Sequence, residues 1–303
     1  MTLKRPVGRS CGASSMWRWL AVLGGGVVAA AAGLAADGPP ADKTSYHLFN
    51  PTPRDLMREM NTDRPDKTES PITVDAGHVQ VELDFFTYTH DHSRAAGEDV
   101  RTDIWEVAPV NLKVGLMNSV DLQLVLQTHR WVRVEDRHLG RVDRESGFGD
   151  VTTRVKMNFW GNDGGPTALA AMPYATFLTG SQEGDAASVE GGLIVPLSID
   201  LPMGWGMTLM SKLDILRNDL GDGNHANFVH SATFGHTIVG DLAGYAEFYS
   251  EVSTVEGEGW VGTVDVGLTY GLTRDIQIDT GVNLGVTEAA DDVNTFVGIS
   301  VRF

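Results

Sequence analysis

The sequence predicts an all-β protein, a 12-stranded antiparallel transmembrane β-barrel that follows an N-terminal signal peptide and a short irregular leader. Three observations predict this class. Apolar and polar residues alternate with a period of two through most of the chain after residue 74, as in strands with one apolar and one polar face. The connections between these stretches are alternately short and long. The last stretch, residues 294–303, ends on Phe303, as expected of a closing strand whose aromatic end lies at the membrane boundary.

Residues 1–36 have the order of a secretory signal peptide. Basic residues including Lys4 and Arg18 precede an apolar run, and small residues then lead into the polar stretch that starts at Asp37. An uncleaved anchor helix is the alternative, but the glycine-rich run is a poor helix former. Cys11 would be removed with the signal, which leaves the mature chain without thiol chemistry.

The remaining chain is divided by composition and is strongly acidic. Residues 37–71 form a proline-rich polar leader, and we expect the outer-membrane β-barrel over residues 72–303. The whole chain has 23 Lys and Arg against 40 Asp and Glu, and four of the basic residues belong to the signal. The mature net charge is therefore 19 − 40 = −21, which argues against nucleic acid as a partner.

Twelve strands follow in order. In the first, Val79, Val81 and Leu83 alternate with polar residues, and the others repeat this pattern, although two have ambiguous faces. The predicted strands span about 79–86, 110–116, 120–126, 151–159, 167–179, 189–201, 205–215, 226–238, 242–249, 260–270, 276–286 and 294–303. An even number places both ends of the barrel on the periplasmic side and the long loops outside. The charged outer loop 133–147, the longest besides the first, could fold inward to narrow a pore.

The polar faces carry too many charges for the packed core of a β-sandwich, because each charge would need a buried partner. We therefore predict that they line a wet lumen while the apolar faces contact lipid, and the excess of acids predicts a mild preference for cations. The predicted pore-lining residues are Glu82, Asp84, Tyr88, Asp121, Gln123, Gln127, Arg154, Lys156, Lys212, Asp214, Glu247, Asp265 and Asp279.

Two further sets of residues have predicted structural roles. Arg64 and Asp66 in the leader could pair with lumen charges and form a partial plug, or the leader could be an exposed tail. The last strand is predicted to pair with the first and close the barrel. Its closing residues are Phe296, Gly298, Ile299, Val301 and Phe303.

No residue pattern predicts a catalytic centre, a metal site or a cofactor. His90 and His92 could place two imidazoles on one strand face, but no third ligand is near in sequence, so a solvated loop is the preferred interpretation. No motif positions a Ser/His pair for hydrolysis, and no glycine-rich phosphate loop joins a strand to a helix. We expect that the protein is not an enzyme.

Two stretches resemble a known family. Residues 62–82, TDRPDKTESPITVDAGHVQVE, lead into the first strand, and residues 146–156, SGFGDVTTRVK, open the fourth. They resemble the outer-membrane transporter family named for the meta-pathway of phenol degradation, over roughly residues 62–303. The resemblance implies a barrel porin or transporter for aromatic or other hydrophobic small molecules.

Pattern and resemblance together predict a porin or transporter of the bacterial outer membrane that passes small solutes by passive diffusion through a charged lumen. The implied partners are outer-membrane lipid, the barrel assembly machinery and the solutes, and the sequence leaves association into homo-oligomers open. The alternatives are a structural or adhesive barrel with a blocked lumen, a barrel hydrolase, and a secreted soluble β-protein.

Overall fold

The computed structural model describes residues 42–94, 99–180, 189–218 and 223–303. The predicted signal peptide lies outside these residues. Among them, no helix has the length and apolar character needed to cross a membrane. An irregular segment, residues 42–78, precedes the first strand, so the strands begin seven residues after the predicted start of the barrel at residue 72.

The described residues form fifteen β segments and one short 3-10 turn, Pro202–Gly204. The segments are β1 (Val79–Ser93), β2 (Val100–Val107), β3 (Val110–Met117), β4 (Val120–Leu126), β5 (His129–Asp136), β6 (Arg141–Phe148), β7 (Val151–Trp160), β8 (Thr167–Phe177), β9 (Val189–Asp200), β10 (Trp205–Arg217), β11 (Asn224–Val239), β12 (Leu242–Ser253), β13 (Val261–Thr273), β14 (Ile276–Gly285) and β15 (Val293–Arg302).

These fifteen segments form twelve barrel strands, because three strands are each broken once. β2 and β3 pair with successive parts of β1 and are separated by Ala108, whose φ of 52° is rare for a residue with a Cβ, and by Pro109. β4 continues into β5, and β6 into β7, across similar two-residue breaks. All pairings are antiparallel, and β15 pairs with β1, with Val301 opposite Val81. The prediction of a 12-stranded antiparallel barrel is confirmed.

Apolar side chains lie on the outside of the barrel and charged ones on the inside. Leu122 is 41% exposed and Leu268 is 44% exposed, whereas their strand neighbours Gln123 and Asp265 are fully buried. A soluble barrel that carries a ligand would have the opposite arrangement, with an apolar interior. The exposed apolar band and the polar interior are those of a barrel whose outer surface contacts lipid.

Because of a bulge in β1, one predicted pore-lining residue, Tyr88, does not face the interior. The register against β15 shifts between Asp84 and Phe86, and the side chains of Phe85 and Phe86 are both exposed. The extra residue reverses the alternation, so that beyond it the buried positions are the odd ones, Thr87, Thr89 and Asp91. Tyr88 therefore lies on the opposite face from Glu82 and Asp84, where its hydroxyl donates to Asp103 at 2.8 Å.

The prediction of a long loop over residues 133–147 is wrong. In its place β5 and β6 form a hairpin whose turn spans residues 137–140. Most side chains of β6 are exposed on both faces. Because both faces of β6 are exposed, that strand needs no apolar alternation, and it lacks the signal that reveals the others.

The orientation of the apolar face can be tested with arginine substitutions at two depths. Val266→Arg places a charge near the middle of the outward face of β13 and is expected to reduce folding stability by about 2–4 kcal/mol, whereas Val239→Arg, beside a short turn, should cost ~0–1 kcal/mol. Equilibrium unfolding in lipid vesicles measures both. Equal costs at the two positions would contradict a membrane-spanning β13.

Candidate functional site

Residues 62–75, here called the plug segment, cross the interior of the barrel. Asp63, Arg64 and Glu69 are all buried. Arg64 contacts Asp279 of β14, and only five residues later Glu69 contacts β7 and β10. These strands lie far apart around the ring, so the segment bridges the interior rather than following one wall. The segment contains few apolar residues, and its position depends on polar contacts.

Asp63 is the centre of the first contact group. Its carboxylate lies 2.6 Å from the ammonium groups of both Lys113 and Lys156. Gln123 donates to the same carboxylate at 3.1 Å, and Lys113 also pairs with Glu82 at 3.0 Å. Burial alone would raise the pKa of Asp63, but the two lysines hold that pKa below its ordinary value. The carboxylate is therefore ionised and anchors the segment to β3 and β7.

Arg64 forms the second group, against the adjacent arc of the wall that β1, β15 and β14 form. Its guanidinium lies 2.5 Å from Asp84 and 2.7 Å from Asp279, with the ring of Phe296 at 5.5 Å. A Cβ at Gly298 would lie 2.3 Å from the guanidinium. Glycine at this position therefore allows the arginine to approach the wall formed by β1 and β15.

Lys67 and Thr68 contact a third part of the wall. The ammonium group of Lys67 lies 3.2 Å from Asp265, and its backbone NH donates to Glu247 at 2.8 Å. The hydroxyl of Thr68 donates to the other oxygen of Glu247 at 2.5 Å. These contacts attach the middle of the plug segment to β12 and β13.

Glu69 and Asp66 are acids in less favourable surroundings. Glu69 pairs with Arg154 at 2.6 Å, but burial raises its pKa to about 8 against the attraction of that arginine. Burial also raises the pKa of Asp66, and the nearby carboxylate of Glu247 adds to the rise. Both groups gain a proton more readily in this interior than they would in water.

The predicted pore-lining residues are placed as follows. Eleven of the thirteen are buried inside the barrel: Glu82, Asp84, Asp121, Gln123, Arg154, Lys156, Lys212, Asp214, Glu247, Asp265 and Asp279. Lys212 pairs with Asp214 at 3.0 Å, and Asp121 accepts from the backbone NH of Val74. Tyr88 faces the other way, as described, and Gln127 lies at a strand break, where its side chain accepts from the NH of Asp150. That these residues line a conduit stays a prediction.

Sequence reasoning missed several interior residues. Lys113 is fully buried and pairs with two acids, yet it was not among the predicted lining residues. Its signal was available, because it alternates with Leu112 and Val114 on the polar face of a predicted strand. Glu69 had no such signal, because it lies in a segment without periodicity.

The two histidines considered as metal ligands are engaged by carboxylates. His90 lies 2.9 Å from Asp103, and His92 lies 2.7 Å from Asp99. In the part of the chain that the structure describes, no three His, Cys, Asp or Glu side chains are grouped so as to hold a metal ion.

A cavity of about 430 Å³ lies on the outer side of the plug segment. Arg64 to Lys67 form its floor, and the outer parts of β1, β12, β13 and β15 form its wall. Its roof comes from residues 257–259 and 288–291, which pack together so closely that a Cβ at Gly259 would lie 2.8 Å from the side chain of Ala289.

The model of the family described as "Putative MetA-pathway of phenol degradation" matches residues 62–303. The chain belongs to this family. The match begins within the plug segment and extends through the whole barrel, so the family resemblance predicted from residues 62–82 and 146–156 is confirmed. A comparison with curated proteins gave no match.

A comparison with solved structures gave several chains that are similar to this family member. The crystal structure of the COG4313 outer membrane channel from Pseudomonas putida F1 is 14% identical, with a TM-score of 0.51 over 75% of this chain and 95% of that chain. The NanC porin is 14% identical, with a TM-score of 0.45 over 73% and 98% of the two chains. A variant of the TodX monoaromatic hydrocarbon channel is 11% identical, with a TM-score of 0.41 over 74% and 88%. The similarity to the Pseudomonas channel shows that the fold is that of an outer-membrane channel.

Proposed function

We propose that the protein is an outer-membrane channel that passes small solutes by diffusion, and that the plug segment closes it in the conformation described. The observation that carries the proposal is the polar interior bridged by residues 62–75, inside a barrel whose exterior is apolar. The description of the family supports aromatic or other hydrophobic compounds among the solutes.

The way in which the plug is held supports a displaceable closure. Its side chains bind the walls mainly through ion pairs and hydrogen bonds, such as those of Asp63, Arg64 and Lys67. Water can replace such contacts when the segment leaves, whereas an apolar plug would lose its burial. The twelve strands are joined through their own backbone hydrogen bonds. The sheet therefore remains a closed barrel when the plug segment leaves.

Flux measurements on the intact protein test this function. We expect liposomes that contain it to pass small sugars and small aromatic compounds faster than empty liposomes, and planar bilayers to show stepwise conductance. A barrel used for structure or adhesion would show neither flux nor steps, with the plug in place or displaced. Turnover of esters or lipids by the purified protein would instead favour a hydrolase.

The docked plug is expected to weaken as the pH rises from about 4.5 to about 8. Glu69 has an ordinary pKa of 4.5 when free and a pKa of about 8 when docked, so the docked state binds its proton more tightly across this interval. Docking therefore loses stability as this proton is removed. Asp66 acts in the same direction. Asp63, whose docked pKa is lowered, acts in the opposite direction but only in more acidic solution.

Conductance recorded at pH 5, 7 and 9 measures this dependence. We expect more frequent open states at pH 9 than at pH 5, and a weaker dependence in Glu69→Gln, which does not titrate. A pH response of Glu69→Gln equal to that of the unmodified protein would show that this carboxyl is not responsible.

A further inference from the structure

We infer that the cavity on the outer side of the plug segment binds small organic amines, through carboxylates on its floor, wall and roof and a hydrocarbon lining between them. The inference deepens the proposed function by naming a class of solute. It rests on that function only for the route by which the amine arrives, since binding itself requires no flux.

The floor contributes Asp66, a buried carboxylate without a donor. The residue is only 1% exposed, and neither of its carboxylate oxygens accepts a hydrogen bond. Thr233 lies close to it, but the hydroxyl of Thr233 donates its single proton to Glu247 at 3.2 Å. A buried acceptor with no donor is costly, and Asp66 lines the cavity, so a cationic donor placed there would satisfy it.

The charge of the lining favours a cation over an anion. Seven lining residues are acidic and two are basic. The two bases are already engaged, Arg64 by Asp84 and Asp279, and Lys67 by Asp265. Of the acids that remain in the lining, Asp291 is attracted by Lys67 without forming an ion pair with it, and the excess of negative charge persists.

The roof and the wall bring further carboxylates together. Asp291 of the roof and Asp91 of β1 both line the cavity. Burial raises the pKa of Asp291 to about 6, and the repulsion from Asp91 contributes to the rise. A bound ammonium group would relieve this repulsion, because it would add positive charge beyond the attraction that Lys67 already exerts on Asp291.

The rest of the lining explains why the ligand is organic. Pro65, Val261, Ala289 and Phe296 contribute apolar surface to the same lining. A volume of about 430 Å³ exceeds the space that one ammonium ion fills and accommodates a hydrocarbon body of several atoms. A small molecule with an apolar body and an ammonium end matches both kinds of surface.

Three ligands of similar size and different charge test this assignment. Benzylamine is a cation at neutral pH, benzyl alcohol is neutral and benzoate is an anion. Binding to the full protein in lipid nanodiscs is measured by calorimetry, with empty nanodiscs subtracted. We expect benzylamine to bind at least about tenfold more tightly than the other two, a difference of ~1.4 kcal/mol. Equal affinity for benzylamine and benzyl alcohol would overturn the assignment.

Two variants and a control locate the site. Asp66→Asn and Asp291→Asn are each expected to weaken benzylamine binding by about tenfold or more. Glu256→Gln changes an exposed acid in the β12–β13 loop, which contributes residues 257–259 to the roof, but Glu256 itself does not line the cavity, so this variant should leave binding unchanged. Asp291 is outside the plug, so its variant tests the cavity even if Asp66→Asn displaces the plug. Unchanged affinity in Asp291→Asn would overturn the inference. Benzylamine binding without solute flux would contradict only the proposed channel function. Solute flux without selective benzylamine binding would contradict only the proposed amine site.

Discussion

Asp63→Asn is expected to displace the plug and open the barrel. The substitution removes the carboxylate that lies between Lys113 and Lys156 and leaves two buried ammonium groups 2.6 Å from a neutral amide. Removing one partner of a buried ion pair costs about 3–5 kcal/mol, which is a shift of roughly two to nearly four orders of magnitude in the docking equilibrium. The strands stay paired, so the loss should appear as a higher open probability rather than as unfolding.

Single-channel conductance and limited proteolysis of the segment measure this shift. Asp55→Asn is the matched control, because it makes the same chemical change in the same N-terminal segment at an exposed side chain. We expect Asp55→Asn to behave like the unmodified protein. If Asp63→Asn conducts no more than the control and its plug segment stays resistant to protease, the proposal of an ion-paired plug fails.

Arg64→Gln is expected to open the barrel and to increase its preference for cations. The guanidinium neutralises Asp84 and Asp279 from distances of 2.5 and 2.7 Å, and both carboxylates are buried. Glutamine leaves these two charges uncompensated, at a cost of about 3–5 kcal/mol to the docked state. Once the segment is displaced, the same carboxylates face the conducting path and attract cations.

The reversal potential under a salt gradient distinguishes this result from simple opening. Arg64→Gln should move it toward the cation equilibrium value, while the control Arg54→Gln should not. The Arg54 side chain is 66% exposed and makes one long ion pair, 3.4 Å from Asp275. An anion preference in Arg64→Gln would contradict the placement of Asp84 and Asp279 on the conducting path.

The alternation of apolar and polar residues was sufficient to predict the strand count, and the export signal, that count and the terminal Phe303 then assigned the apolar face of most strands to the outside. A strand with lipid on one side and water or ions on the other must repeat every two residues, so its signal is local and can be read from about ten residues. The predictions fail where the two-residue repeat is interrupted or where a strand does not separate an apolar from a polar environment. The bulge between Asp84 and Phe86 reverses the faces of β1, and β6 of the β5–β6 hairpin is exposed on both faces.

The contacts of the plug segment could not be derived in the same way. Arg64 and Asp66 were predicted as candidates from their charge alone, without partners. Asp63 and its partner Lys156 are 93 residues apart, and Arg64 and Asp279 are 215 residues apart. No local pattern encodes such a pairing, because it depends on which strands lie opposite each other in the closed ring.

By itself, then, the sequence determined the twelve strands, their antiparallel order and the polar character of the interior. Only the tertiary structure decided which charges meet, how the plug segment crosses the interior and where a cavity remains. The physical reason is that side-chain direction along a strand follows from the two-residue repeat of the backbone, whereas ion pairs across the interior depend on the closure of the ring by β1 and β15.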